Sequence, residues 1–234
     1  MSGTEAVVIL LWWSGVAALV FWTRRRKARK KSEQRDSYGE LRSFAEGRGW
    51  RYDEVVPGLV DTYKGNGPFW RWTSGVPADH VVSGAHGGFG FRAFETQFGG
   101  DALEANEHVH VLSVCVLDLG VDVPDLRVYR DGWFDTLVRG RAMTVGIPQL
   151  DKDFHIVSRD EERARTLLLG GLAEFLVSDG RAAKSPLHLS GGRLFTWREE
   201  TRLSTETLSE CLEYLADTVG HLGVTAPDQP TQTP

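Results

Sequence analysis

The strongest constraint on this chain lies at its start, where an unbroken apolar run, Ala6 to Trp22, is followed at once by Arg24, Arg25, Arg26, Lys27, Arg29, Lys30 and Lys31. At about 1.5 Å per residue the run makes a helix of roughly 26 Å, which spans a hydrocarbon core of about 30 Å once Thr4 and Thr23 are drawn in. Ser14 and Gly15 are its only weakly polar positions, so as a helix it has no solvent face. A secretory signal carries its cations ahead of the apolar segment and a cleavage site behind it; here Glu5 is the only charge ahead and no cleavage pattern follows. The sequence therefore predicts a retained transmembrane anchor over 1–23, embedded in the bilayer through 4–23. Basic residues hold their flank in the cytoplasm, which places the N-terminus outside and the remainder inside. Ser14 and Ala18 form a small-xxx-small pair at which a second helix could approach closely.

The seven cations begin a tether over 24–36. Beside an anionic leaflet each adds about 1 kcal/mol of attraction, so Arg24, Arg25, Arg26, Lys27, Arg29, Lys30 and Lys31 are the expected contacts to anionic lipid head groups. Seven of the 27 Lys and Arg lie in this cluster and only Glu5 of the 32 Asp and Glu precedes it, so 20 basic and 31 acidic residues follow Lys31, a formal charge of −11. A body that acidic repels phosphate backbones, which argues against a nucleic-acid partner.

The remaining length suits one domain, expected over 37–223, before a Pro-, Gln- and Thr-rich tail over 224–234 that reads as disordered. Cys115 and Cys211 occupy apolar contexts and read as two buried free thiols in a reducing compartment. A helix is expected from Tyr38 to Arg48. Strands follow at Phe69–Thr73, Val81–Ser83, Phe89–Phe94, His108–Leu119, Leu126–Tyr129, Ala142–Val145 and Phe154–Val157, with Gly84–Gly88 as a hairpin loop. Apolar residues on both faces of His108–Leu119 mark it as a central, doubly covered strand. Ser158 and Glu161 have capping-box spacing ahead of Ala164, Leu167, Leu168, Leu172, Phe175 and Leu176, a helical stripe ending at Gly180. Strands at Leu187–Leu189 and Leu194–Arg198 flank Ser190-Gly191-Gly192, and Ser204 caps a last helix with a Leu203–Leu208 staple. This order lacks regular strand–helix alternation. It predicts an α+β fold, a mainly antiparallel sheet with helices packed on one face, preceded by one N-terminal transmembrane helix.

The anchor and basic stretch are followed by Ala45, Arg48, Gly49, Trp50 and Tyr52 at a helix-to-strand junction, Ser83 and Gly84 before a strand ending Phe94-Glu95, and Phe154–Val157 leading through Asp160 into a leucine-rich helix. In these features the chain resembles an uncharacterised class of bacterial membrane-anchored proteins, and its excess of arginine over lysine suits a GC-rich, actinobacterial genome. The resemblance implies the architecture and supplies no catalytic residues.

His108 and His110 alternate on one strand and project to one face, where two imidazoles can reach one metal, zinc by default; His80 and His86 could supply further ligands if the sheet folds back that way. A protein site needs three or four ligands, which favours histidines at the polar start of a strand. Gly84, Gly87, Gly88 and Gly90 make neither a phosphate loop nor a dinucleotide fingerprint, and Ser83 stands in no nucleophile elbow. Asp151 and Asp153 about Lys152 read as a polar turn, and Arg139 and Arg141 are candidate anion contacts on a loop. Phe69, Trp70, Trp72, Phe89, Phe91, Phe94, Phe98, Trp133 and Phe134 crowd the stretch 69–134 and read mainly as core. The expected function is a membrane-anchored cytoplasmic interaction domain, a non-catalytic part of an envelope or signalling assembly with a protein partner. Two alternatives stand beside it: a zinc-dependent hydrolase using His108 and His110, and a lipid-binding domain using exposed aromatics.

The topology has a direct check. On intact cells a membrane-impermeant thiol reagent should label a Ser2→Cys variant and spare a Thr231→Cys variant; the reverse pattern would invert the orientation.

Overall fold

A computed structural model describes residues 36–69, 75–98, 110–130 and 141–225. The chain divides into two compact units, Met1–Ser43 and Phe44–Pro234. The described part of the first is helical. Residues 36–47 form α1, with Ser43 Oγ donating to the Gly39 carbonyl at 3.0 Å. The expected span over 4–23, the basic tether and the tail beyond 225 lie outside the described residues, among which no helix is long and apolar enough to cross a membrane.

The second unit is built on eight antiparallel strands: β1 Arg51–Val56, β2 Ala78–His86, β3 Phe89–Phe98, β4 His110–Asp118, β5 Leu126–Tyr129, β6 His155–Ser158, β7 Leu187–Ser190 and β8 Arg193–Glu199. Their spatial order is β1-β2-β3-β4-β8-β7-β5-β6. Short helices α2 Pro148–Asp153, α3 Glu161–Leu167 and α4 Ala173–Ser178 and the long α5 Thr205–Leu222 complete the α+β fold. β4 is covered on both sides, as its sequence predicts, with Leu112 to Leu117 all buried.

On one face Leu112, Val114 and Val116 of β4 join Phe94, Phe195 and Trp197 under a 3-10 turn, Val60–Tyr63, and the loop to Phe69. Tyr63 stacks on Phe94 at 5.9 Å and meets Phe195 edge-on at 5.6 Å, geometries that add to the apolar burial. On the other face α5 packs against β4 and β8, and elsewhere α3 meets β6. Irregular chain closes the Tyr63–Phe69 side.

The resemblance residues turn out to be joints of this unit. Trp50 N–H donates to the Ala45 carbonyl at 2.9 Å and Gly49 N–H to that of Glu46 at 3.0 Å, a Schellman termination of α1. It needs the positive φ of 70° that Gly49 supplies. Trp50 then lies against Phe44 and Phe91, with Arg48 3.6 Å over the Phe44 ring, while its Nε1–H donates to the Ala85 carbonyl. A Cβ on Gly84 would come 2.3 Å from Trp50 Cδ1, so the bare backbone of Gly84 is the floor on which the indole rests. Glu95, 1% exposed, accepts from Leu203 N–H at 2.7 Å and lies 3.4 Å from Arg202 Nη1; beside it Ser113 Oγ donates to the Thr201 carbonyl at 2.7 Å. Together they pin the β8–α5 connection and deliver Ser204, whose Oγ accepts from Thr207 N–H. The staple residues Leu203 and Leu208 are both fully buried.

Several local expectations shift. Gly84, Ala85 and His86 belong to β2, and the turn shrinks to Gly87-Gly88, because Trp50 selects a glycine within the strand. Asp160 caps α3 by accepting from Arg163 N–H; Ser158 instead ends β6, its Oγ donating to the Asp125 carbonyl at 2.6 Å. The leucine-rich helix is broken by a π turn, Leu168–Leu172, with non-helical backbone at Gly171, and ends at Ser178. Ala142–Val145 pairs with β6 only through Met143 N–H to the Ile156 carbonyl and is no strand. Phe69 closes a loop, Trp70 to Thr73 lie outside the described residues, and β1 is an edge strand that half-exposed, charged positions conceal.

Two substitutions probe this packing. Leu168 is fully buried, and Leu168→Asp should cost several kcal/mol in chemical denaturation. Gly84→Ala should cost about 1–3 kcal/mol by overpacking, and most of that cost should vanish in a Trp50→Ala background.

Candidate functional site

The described region richest in polar chemistry surrounds His188. On β7 it lies opposite Phe195 of β8 on one side and Arg127 of β5 on the other, so it points to the face covered by the Tyr63–Phe69 loop. Gly67 N–H donates to its Nδ1 at 2.7 Å. Gly67 can present that amide because its φ is 57° and because a Cβ would sit 2.9 Å from the Phe195 ring. With Nδ1 an acceptor, the neutral ring carries its proton on Nε2, which faces Asp125 Oδ1 at 3.3 Å. Arg127 Nε lies 3.2 Å from the same Nε2 and 3.9 Å from Asp125 Oδ1, and Arg159 lies 3.8 Å from the other carboxylate oxygen, so Asp125 sits among the imidazole and two guanidinium groups.

Asp125 and His188 resemble two members of a catalytic triad, but the third position is taken by a backbone amide. His188 has no free lone pair with which to accept a proton from a nucleophile. The pair's work is to fasten the Tyr63–Phe69 loop to the sheet. Burial pushes the His188 pKa below its ordinary 6.5, and the hydrogen bond from His188 holds Asp125 below the usual carboxylate value.

An open cleft of about 450 Å³ lies between the β4–β5 loop and the β7–β8 turn, lined by Asp118, Gly120, Val121, Asp122, Gly192 and Arg193 among others. Its charges are paired, Arg193 with Asp118 at 3.1 Å and Arg163 with Asp122 at 3.3 Å. Val121, 41% exposed, supplies apolar surface. Leu119 N–H donates to the Gly192 carbonyl at 2.8 Å and ties the two walls together. Paired charges around a small apolar spot suit a shallow docking surface better than a substrate pocket.

The candidates from sequence disperse. His110 opens β4 with its Nδ1 2.6 Å from Glu200 Oε1, while His108 lies outside the described residues. His80 shares a 2.7 Å hydrogen bond with the Tyr52 hydroxyl, and His86 packs edge-on to Trp50. Among the described residues no three His, Cys, Asp or Glu form a group able to hold a metal ion. Asp151 accepts from Val145 and Gly146 N–H at 2.8 and 2.9 Å, and Asp153 from Gln149, so they organise a turn and α2 separately. Ser83 is a strand residue of β2, Arg141 is exposed, and Arg139 lies outside the described residues, as do Arg24, Arg25, Arg26, Lys27, Arg29, Lys30 and Lys31. Of the aromatic group, Phe69, Phe89, Phe91 and Phe94 are buried, and Trp70, Trp72, Trp133 and Phe134 are not among the described residues. His188 and Asp125 drew no attention in the sequence; the one signal was a histidine alternating with leucines in Leu187-His188-Leu189.

No family model matches the chain, and no curated protein matches it in sequence. Among solved structures it is similar to the crystal structure of the mycobacterial trehalose monomycolate transport factor A, TtfA, at 15% identity and a TM-score of 0.57, over 82% of this chain and 98% of that one. The likeness is one of fold.

The neutral His188 makes stability pH-dependent. Below the ordinary value of 6.5 the unfolded ring binds a proton that the folded ring refuses, so stability is intact above that pH and falls below it, by up to about 1.4 kcal/mol per pH unit. The Asp125 contribution is lost lower, as pH falls from the ordinary carboxylate range through its depressed value. Urea unfolding at about pH 7.5 and about pH 5.5 should show this drop, and His188→Gln should flatten it.

Proposed function

We propose that the chain is a membrane-anchored, non-catalytic accessory component of a bacterial envelope assembly, whose α+β domain docks another protein. The observation that carries this reading is the fold shared with TtfA, described as a transport factor, over nearly all of that chain. The anchor over 4–23 and the basic tether would hold the domain beside the cytoplasmic leaflet, and the formal −11 after Lys31 would keep it from lying flat on anionic lipid. The open cleft at Val121, with its neutralised charges, is the surface we assign to the partner.

The test places a photo-crosslinking amino acid at Val121 of the full chain in the native bacterium, with metal analysis of the purified full chain alongside. A discrete protein adduct from Val121, absent from a control at the exposed Leu169, is the expected result. A lipid adduct in its place would substitute a lipid-binding function. Stoichiometric zinc that disappears in a His108→Ala, His110→Ala variant would replace the reading with a metal-dependent one.

A further inference from the structure

The contact between α5 and the sheet holds two thiols, Cys115 on β4 and Cys211 on α5, that the proposed docking function does not use. Cys115 of β4 lies opposite Thr196 of β8, and Ser113 lies opposite Arg198, so all four share one face. Arg198 Nη1 reaches Glu210 Oε2 of α5 at 2.7 Å. α5 packs on both β4 and β8, and Cys211 directly follows Glu210 in that helix. Both cysteines are free and fully buried, and their thiols interact as hydrogen-bond partners. Donation from Cys115 to the Cys211 sulfur holds the Cys115 thiol above its ordinary value and Cys211 below it, and the Arg198 guanidinium also favours a Cys211 thiolate. Among the described residues Thr196 Oγ1 is buried there without a hydrogen-bond partner, a polar group that a purely apolar contact would not require.

From this juxtaposition of Cys115, Cys211 and Arg198 we infer that the two cysteines are a redox pair, which a small peroxide converts into an intramolecular disulfide clasping α5 to β4. The Cys211 thiolate attacks one peroxide oxygen, and the O–O bond breaks. The sulfenic acid forms as hydroxide leaves and takes up a proton as water. The Cys115 sulfur then attacks Cys211 Sγ; the S–S bond forms, the S–O bond breaks, and the departing hydroxide takes the Cys115 proton as a second water. Two thiols are oxidised by two electrons, and one peroxide is reduced to two waters. Burial restricts the oxidant to a molecule as small as hydrogen peroxide and disfavours exchange with bulky disulfides.

The test uses the full chain, purified reduced in detergent and treated with hydrogen peroxide, then alkylated in denaturant and read by mass spectrometry. The expected product has lost two hydrogen atoms, resists alkylation at both cysteines, yields a Cys115–Cys211 linked peptide, and unfolds at a higher temperature than the reduced form until reductant is added. Under the same treatment Cys115→Ser should accumulate a dimedone-reactive sulfenic acid at Cys211, whereas Cys211→Ser should stay unmodified. The wild-type mass reading does not depend on either variant folding. Two thiols surviving peroxide that oxidises glutathione in the same tube, or oxidation giving only intermolecular dimers, would overturn the inference.

Discussion

Burial of β4 on both faces is the constraint on which the rest of this fold depends. The strand joins the β1–β2–β3 meander to the β8–β7–β5–β6 half, and its alternate residues feed two separate cores. Val114 and Val116 face the Tyr63–Phe69 loop, whereas Cys115 and Leu117 face α5. A strand in that position cannot slip by one residue without exchanging the two sets, so its register is fixed by packing. Each cover then needs its own fastening. The loop is held by Gly67 N–H on His188, and the approach to α5 by Glu95 and Ser113 on the 201–203 backbone.

These fastenings account for the conspicuous buried polar residues of the described sheet. Glu95, His188 and Asp125 are the residues one would inspect for acid–base chemistry, yet each already satisfies a specific group: a backbone amide for Glu95 and for His188, the His188 ring and two arginines for Asp125. A buried polar group left without its partner costs about 1–3 kcal/mol, so removing any one of these partners should destabilise the fold. The cleft at Val121, the surface proposed for a partner, is correspondingly plain, its charges paired.

Legibility in the sequence followed periodicity. β4, β5, β7, β8 and α5 were readable because their apolar repeats are long or bounded by glycine turns, and Ser204 and Leu203–Leu208 mark the start of α5 from local chemistry alone. What escaped was decided by distant contacts. Gly84 looks like a loop until Trp50 is placed on it. Asp160 displaces Ser158 as a cap because Ser158 is drawn to the Asp125 carbonyl across the β5–β6 pair. The His188 cluster joins Gly67, Asp125 and Arg127 across more than a hundred residues, a separation that no motif spans. The meeting of Cys115 and Cys211 depends in turn on how α5 crosses the sheet, which its helical stripe does not specify.

If the two halves are one cooperative body joined through β4, their stability should be graded outward from that strand. Native-state amide exchange is the most direct measurement. The account predicts that Leu112–Leu117 of β4 exchange only through global unfolding and are the slowest amides of the sheet, with β6 and the 141–145 segment opening locally and much faster. Exchange from β4 as fast as from β6, or two halves that exchange with independent free energies, would contradict it.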